Sequence, residues 1–132
     1  MNIIKGKISR IKVNGDLSIV KVAIGETTFS TILIDTPDTA SYLKLDNEVN
    51  VIFKETEVIL GVGDMSGISL RNKLVGNVIS IESDTLLSKV TIQTEFGPIT
   101  SIITSNAVTQ LKIVEGLEVS AMIKTNELMI SK

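Results

Sequence analysis

Apolar and polar residues alternate with a period of two along most of the chain, the pattern of half-buried strands. Near the N-terminus Ile4, Gly6 and Ile8 alternate with Lys5 and Lys7, and then Ile11 and Val13 fall out of phase. A slip of phase inside one apolar run predicts a β-bulge and a sharp bend. Leu74, Gly76 and Val78 alternate in the same way, and Ile79 and Ile81 slip in the same place. Asn14-Gly15-Asp16 and Ser83-Asp84-Thr85 follow, with residue types that suit hairpin turns. Further strands are expected at 28–34, 49–53 and 57–60, and again at 99–104, 117–123 and 127–130. Between them, 37–43 and 106–111 each suit one or two helical turns, with Asp35 or Thr36, and Ser105, as N-caps.

The parallel between these two sets of signals is a repeat. A shift of about 70 positions brings Asn2 onto Asn72, Gly6 onto Gly76, Ser18 onto Ser88, Val49 onto Val119, Lys54 onto Lys124 and Glu57 onto Glu127, with a local offset of two between 36 and 48. The stretch Gly61-Val62-Gly63-Asp64-Met65-Ser66-Gly67 has the Gly-rich polar composition of a connector. The expected organisation is one domain at 1–63, a linker at 64–68 and a second domain at 69–132. Five short strands and one short helix per unit is the inventory of a small OB-like β-barrel, so a mainly β chain with two tandem barrels is expected. A single β-sandwich of about ten strands is the alternative.

Composition narrows the chemistry. Aromatic residues are only 3% of the chain, so the core must be built from Ile, Val and Leu. Barrels this small are marginal alone, which predicts packing against each other or against further subunits. With no Cys and no His, the chain lacks thiolate chemistry, the commonest general base and the commonest transition-metal ligand. A net charge of −2 without a basic block disfavours duplex DNA, so no nucleic-acid partner is expected. No apolar run approaches a membrane span, and residues 1–6 do not form a signal peptide, so no membrane partner and a cytoplasmic location are expected.

Arginine is scarce, with only Arg10 and Arg71. Arg71 lies in Ser69-Leu70-Arg71-Asn72-Lys73, a polar lead-in to a strand that offers a hydroxyl, backbone N–H groups and a guanidinium within three residues. A dianion needs fixed donors and about two compensating charges. An exposed Arg in a connector is the plainer reading of these residues alone. Lys124-Thr125, at an expected hairpin turn, adds a charge and a hydroxyl, and Thr100 to Thr104 adds hydroxyls on alternate strand positions. Solvated turns and ordinary strand propensity account equally well for these.

The run S-L-R-N-K-L-V-G-N-V (69–78) resembles the S-A-R-N-x-L-x-G-x-V signature of the molybdenum-pterin-binding (Mop) or TOBE domain family. T-S-I-I-T (100–104) and E-G-L-E-V-S-A-M-I-K-T-N-E-L-M-I (115–130) resemble that family's later blocks, in the right order. The first unit resembles the family more loosely, through 2–8 and 51–60. The two-domain, molbindin type is the best match. The resemblance implies OB-like barrels, molybdate or tungstate as bound ligand with no catalytic cofactor, a homo-oligomer, and oxyanion sites between domains or subunits. It carries ligand contact onto Ser69, the backbone N–H of Leu70, Arg71, Lys124 and Thr125, with Thr104 as a further candidate. Leu70 is bulkier than the small residue usual there, and Thr125 replaces a frequent Ser while keeping the hydroxyl. In the first unit Lys54 remains as a secondary candidate, Glu55 replaces the hydroxyl, and Asp35 falls near the Thr104 position. Acidic groups there repel a dianion, so one full donor set per chain is expected.

Three other readings compete with an intracellular oxyanion store, buffer or carrier. A sensing domain of a regulator or transporter ATPase would bring a helix-turn-helix or a P-loop, and neither motif occurs here, so with a start at Met1 a free-standing chain with no upstream domain is expected. A nucleic-acid-binding OB barrel needs stacking aromatics, whereas Phe29, Tyr42, Phe53 and Phe96 suit a core. An enzyme would rest on carboxylates, Lys or Tyr42, and no paired carboxylates stand out.

Overall fold

A computed structural model describes residues 1–132, in ten strands and one short helix. The first half holds β1 (Asn2–Asn14), β2 (Leu17–Ile24), β3 (Thr27–Leu33), β4 (Glu48–Phe53) and β5 (Ile59–Gly61). The second holds β6 (Asn72–Ser83), β7 (Leu87–Thr94), β8 (Gly97–Thr104), α1 (Ser105–Gln110), β9 (Glu118–Ile123) and β10 (Met129–Ser131). The phase slips read in the sequence are bulges, between Ile8 and Arg10 in β1 and between Val78 and Ser80 in β6. Each bulge lets one long strand bend and pair with different partners along its two halves. Gly6 and Gly76 sit at those bends. A Cβ on Gly76 would lie 2.4 Å from the Gln93 carbonyl oxygen, and one on Gly6 2.7 Å from that of Ala23, so only glycine lets the strands cross this closely.

The sheets do not follow the repeat. One runs β10-β4-β1-β2-β3 and the other β5-β9-β6-β7-β8, so each takes its last strand from the other half of the chain. Ile59 pairs with Met122 and Gly61 with Ser120, while Met129 pairs with Ile52 and Ser131 with Asn50. The hairpin expected at Lys124-Thr125 is therefore not formed, and the strands at 49–53 and 57–60 do not pair with each other either. The 3-10 turns Glu55–Glu57 and Thr125–Glu127 carry the chain across from one sheet to the other. The exchange pairs the outer edges of β4 and β9, which would otherwise expose unpaired backbone groups. The segment 64–68 separates two copies in sequence, while the hydrogen-bonded layers cross it in both directions.

One apolar cluster of 23 buried residues spans both halves, from Ile4, Ile8, Val20 and Phe53 to Val78, Val90, Ile92 and Ile123. Phe29 and Phe53 are fully buried, and Tyr42 and Phe96 pack partly buried against the same cluster. None of the four forms an open stacking surface. The expected helix at 106–111 is α1, but its cap is Thr104, whose hydroxyl accepts the Ala107 N–H at 3.1 Å. Ser105 is instead bonded to the Asp84 carbonyl and the Ser88 hydroxyl, both at 2.8 Å. Residues 37–43 form turns and no helix. There the Thr36 carbonyl accepts the Ala40 N–H at 2.9 Å and the Thr39 hydroxyl accepts the Thr36 N–H at 2.8 Å, a single capped turn that is not continued. No offset between the copies is needed either. Asp46 donates its N–H to the Ile8 carbonyl as Gly116 does to that of Val78, both from left-handed backbone.

Candidate functional site

The ends of β6 and β9 bring Arg71 and Lys124, with their flanking residues, to one end of a sheet. Asn72 pairs with Ile123 across the antiparallel ladder, so the next residues outward, Arg71 and Lys124, are neighbours at the same end of the sheet. Ser69 and Leu70 precede Arg71, and Thr125 follows Lys124 at the start of the 3-10 turn. Ser69, Arg71 and Lys124 are exposed, while Leu70 and Thr125 are half-buried. Neither cation has a carboxylate partner, because the chain's only ion pair joins the Met1 amino group to Glu55. Two cations at one end of the sheet, neither bound to a carboxylate, are suited to an anion carrying two charges.

The frame behind this pair comes from the first half of the chain. Asn72 is buried, and its side-chain amide grips one residue of β3: Oδ1 accepts the Ser30 N–H at 2.8 Å and Nδ2 donates to the Ser30 carbonyl at 2.9 Å. The buried Thr31 hydroxyl reaches the Leu128 carbonyl at 3.0 Å, with the Thr125 carbonyl at 3.4 Å. The backbone on both sides of the Arg71–Lys124 pair is thus fixed to β3. The same arrangement recurs on the other side. Asn2 grips Thr100 of β8 at 2.8 and 2.9 Å, and the Ser101 hydroxyl donates to the Val58 carbonyl at 2.8 Å. The contribution of Ser30 and Thr31 was not foreseen from the sequence. The paired Asn2 and Asn72 were its only signal, and an Asn pair does not say which strand it grips.

The connector is folded back on itself. Asp64 accepts the Ser66 N–H at 2.9 Å and the Ser66 hydroxyl at 3.1 Å, and these bonds hold the Asp64 carboxyl below its ordinary range. The Arg71 guanidinium donates to the Ile68 carbonyl at 3.1 Å and the Ser66 carbonyl at 3.4 Å, and the Lys73 ammonium donates to the Met65 carbonyl. Arg71 is thereby ordered by neutral acceptors, which a charged ligand can outcompete.

Thr104 is not drawn into this cluster. It lies at the far end of β8, its hydroxyl committed to capping α1, and β8 is bordered by the 3-10 turn Glu55–Glu57 and not by Thr125–Glu127. Lys54 precedes that first turn as Lys124 precedes the second, and is exposed. Glu55 stands where Thr125 stands. Its carboxyl is held below the usual range, first by the bond from the Met1 amino group, with its own N–H and the Lys89 charge adding to the effect. Two open depressions lie elsewhere, one of about 590 Å³ beside Lys5, Lys7, Glu48 and Asn50 and one of about 430 Å³ beside Glu82, Asp84 and Lys89. Arg71 and Lys124 line neither. Nowhere do three or more acidic side chains gather as they would around a metal ion.

Two exchanged five-stranded sheets, with an S-x-R-N run leading into a strand, fit a TOBE domain protein. The chain belongs to that family, whose TOBE domain model matches residues 68–130. Molybdenum-pterin-binding protein 1 of Clostridium pasteurianum is 38% identical over 64 residues, 48% of this chain and 94% of that protein. Molybdenum-pterin-binding protein 2 of the same organism is 36% identical over the same shares. Among solved structures, the cytoplasmic molybdate-binding protein ModG with molybdate bound superposes with a TM-score of 0.87 at 29% identity, covering 98% of this chain and 94% of that one. This near-complete coverage gives the exchanged two-unit architecture a counterpart in a molybdate-bound protein.

Proposed function

We propose that this chain binds molybdate or tungstate reversibly, inside the cell, as a store, buffer or carrier of the oxyanion, and performs no covalent chemistry. The observation that carries the reading is the strand register that sets Arg71 beside Lys124, both free of carboxylate partners. Their two charges offset the dianion, and the Ser69 and Thr125 hydroxyls with the Leu70 N–H supply directional donors to its oxygens. The relatives named above support the ligand class. Sulfate has the same charge and shape, so selectivity for the larger anions rests on the spacing of the donors. Calorimetric titration with molybdate tests the site itself, and absence of heat removes it.

The donor set lies on an open surface, which supports a site closed by a second copy of the chain. Apolar side chains are exposed beside both outer strands: Leu17, Ile19, Ile32 and Ile34 on one side, and Leu86, Leu87, Leu111 and Val114 on the other. Ile19 and Ile32 are direct neighbours on β2 and β3. Together with a mean hydropathy of +0.35, these patches favour burial in a homo-oligomer. Light scattering is expected to give a mass above that of one 14.2 kDa chain, with molybdate stabilising the assembly. A monomer both with and without molybdate would contradict the assembly while leaving the ligand reading intact.

A further inference from the structure

Each member of the Arg71–Lys124–Thr125 cluster has a counterpart about 70 residues earlier: Met1, Lys54 and Glu55. The scaffold around the counterparts is the same in its hydrogen bonds. Asn2 grips β8 as Asn72 grips β3, and Ser101 reaches Val58 as Thr31 reaches Leu128. The turn at Glu55 packs on β8 as the turn at Thr125 packs on β3. The cations are not lost either. The amino group of Met1 takes the place of the Arg71 guanidinium, Lys54 that of Lys124, and Lys89 adds a charge where the other copy has the apolar Ile19.

What differs is one group. Where the second copy has a hydroxyl, the first has the Glu55 carboxylate, which is bonded to the Met1 amino group and lies within the field of Lys89. We propose that Glu55 is an internal anion occupying the first unit's counterpart of the oxyanion site, so that this unit keeps a latent site for the same class of tetrahedral dianion, closed by its own carboxylate. The proposal rests on the assignment of the open site to Arg71, Lys124 and Thr125. The carboxylate acts in two ways: it takes up the donor that an oxyanion would use, and its charge repels a second anion at contact distance. Removing that charge leaves the Met1 amino group and Lys54 without a carboxylate partner, with Lys89, which faces Glu82 across the β6–β7 ladder, close by, and a threonine at 55 restores the hydroxyl found in the other copy.

The test is the stoichiometry of molybdate uptake by the full chain, measured by calorimetric titration and by equilibrium dialysis. Wild type is expected to take up one anion per chain and Glu55→Thr two. The double variant Glu55→Thr with Arg71→Ala is expected to keep one tight site, now in the first unit. Glu55→Gln preserves the side-chain shape without the charge, and should also admit a second, weaker-bound anion if Glu55→Thr folds poorly. Two anions per wild-type chain, or one per chain in both Glu55 variants, would overturn the proposal. A wild-type chain that takes up none overturns the parent assignment and this proposal with it, an outcome distinct from failure of the Glu55 variants alone.

Discussion

Arg71→Ala is expected to weaken molybdate binding by about 10- to 150-fold with little change in folding stability. The range follows from roughly 1.5–3 kcal/mol for a hydrogen bond to a charged group, at about 1.4 kcal/mol per tenfold. Stability should hardly move, because the guanidinium is exposed and its bonds go only to the connector carbonyls of Ser66 and Ile68. Lys124→Ala should fall in the same range, since Lys124 neighbours Arg71 at the open end of the same strand pair. Lys54→Ala should leave affinity nearly unchanged, because the Glu55 carboxylate stands beside Lys54. Titrations of the three variants decide the matter. A larger loss from Lys54→Ala than from Arg71→Ala would place the open site in the first unit and refute the assignment.

Asn72→Ala should be among the most destabilising single changes in the chain. The side chain is 1% exposed and makes two bonds to one residue of β3 in the other half. Truncation leaves the Ser30 N–H and carbonyl without those partners, at a cost of about 2–4 kcal/mol. For a chain of this size that is a fall in Tm on the order of 10 °C. Asn2→Ala removes the reciprocal grip on Thr100 and should lower Tm similarly. The two variants should part in ligand binding. Asn72 is covalently next to Arg71 and fixes the frame beneath it, so its loss should also weaken molybdate binding, whereas loss of Asn2 should not. Thermal denaturation by circular dichroism, paired with titration, reads both effects. An Asn72→Ala chain with unchanged Tm would show that the grip on β3 contributes nothing.

Local features of the fold were legible because they are set by neighbours in sequence. The out-of-phase pairs Ile8–Ile11 and Val78–Ile81 marked both bulges, and the repeat of Gly6 at Gly76 marked both close crossings. The OB-like class followed from strand count and order. The exchange of β5 and β10 was not legible, since an apolar triplet such as Ile59-Leu60-Gly61 suits pairing with β4 and with β9 equally well. Only the 3-10 turns at 55–57 and 125–127 decide between them, and Glu-Thr-Glu and Thr-Asn-Glu carry no strong turn signal. At 37–43 a single turn forms, closed by the Ala40 N–H on the Thr36 carbonyl, and no second turn follows it. For the site, the S-x-R-N and K-T runs located the charges. That Arg71 and Lys124 are neighbours depends on the register of β6 with β9, while the supporting role of Thr31 depends on the packing of the two halves. Both are long-range, so neither is encoded in a short motif. Thr104 belongs to a matching block as well, yet its hydroxyl caps α1, a use that the motif alone does not distinguish from ligand contact.

The +2 donor set on the second unit is expected to select a large tetrahedral oxyanion. This selection is tested most directly by calorimetric titration of the wild-type chain with molybdate, tungstate and sulfate at one ionic strength, repeated with Arg71→Ala. Saturable binding of molybdate and tungstate at one anion per chain is expected, with far weaker binding of sulfate and loss of the tight phase in the variant. Equal affinity for sulfate would contradict the selectivity, and tight molybdate binding undiminished by Arg71→Ala would contradict the site.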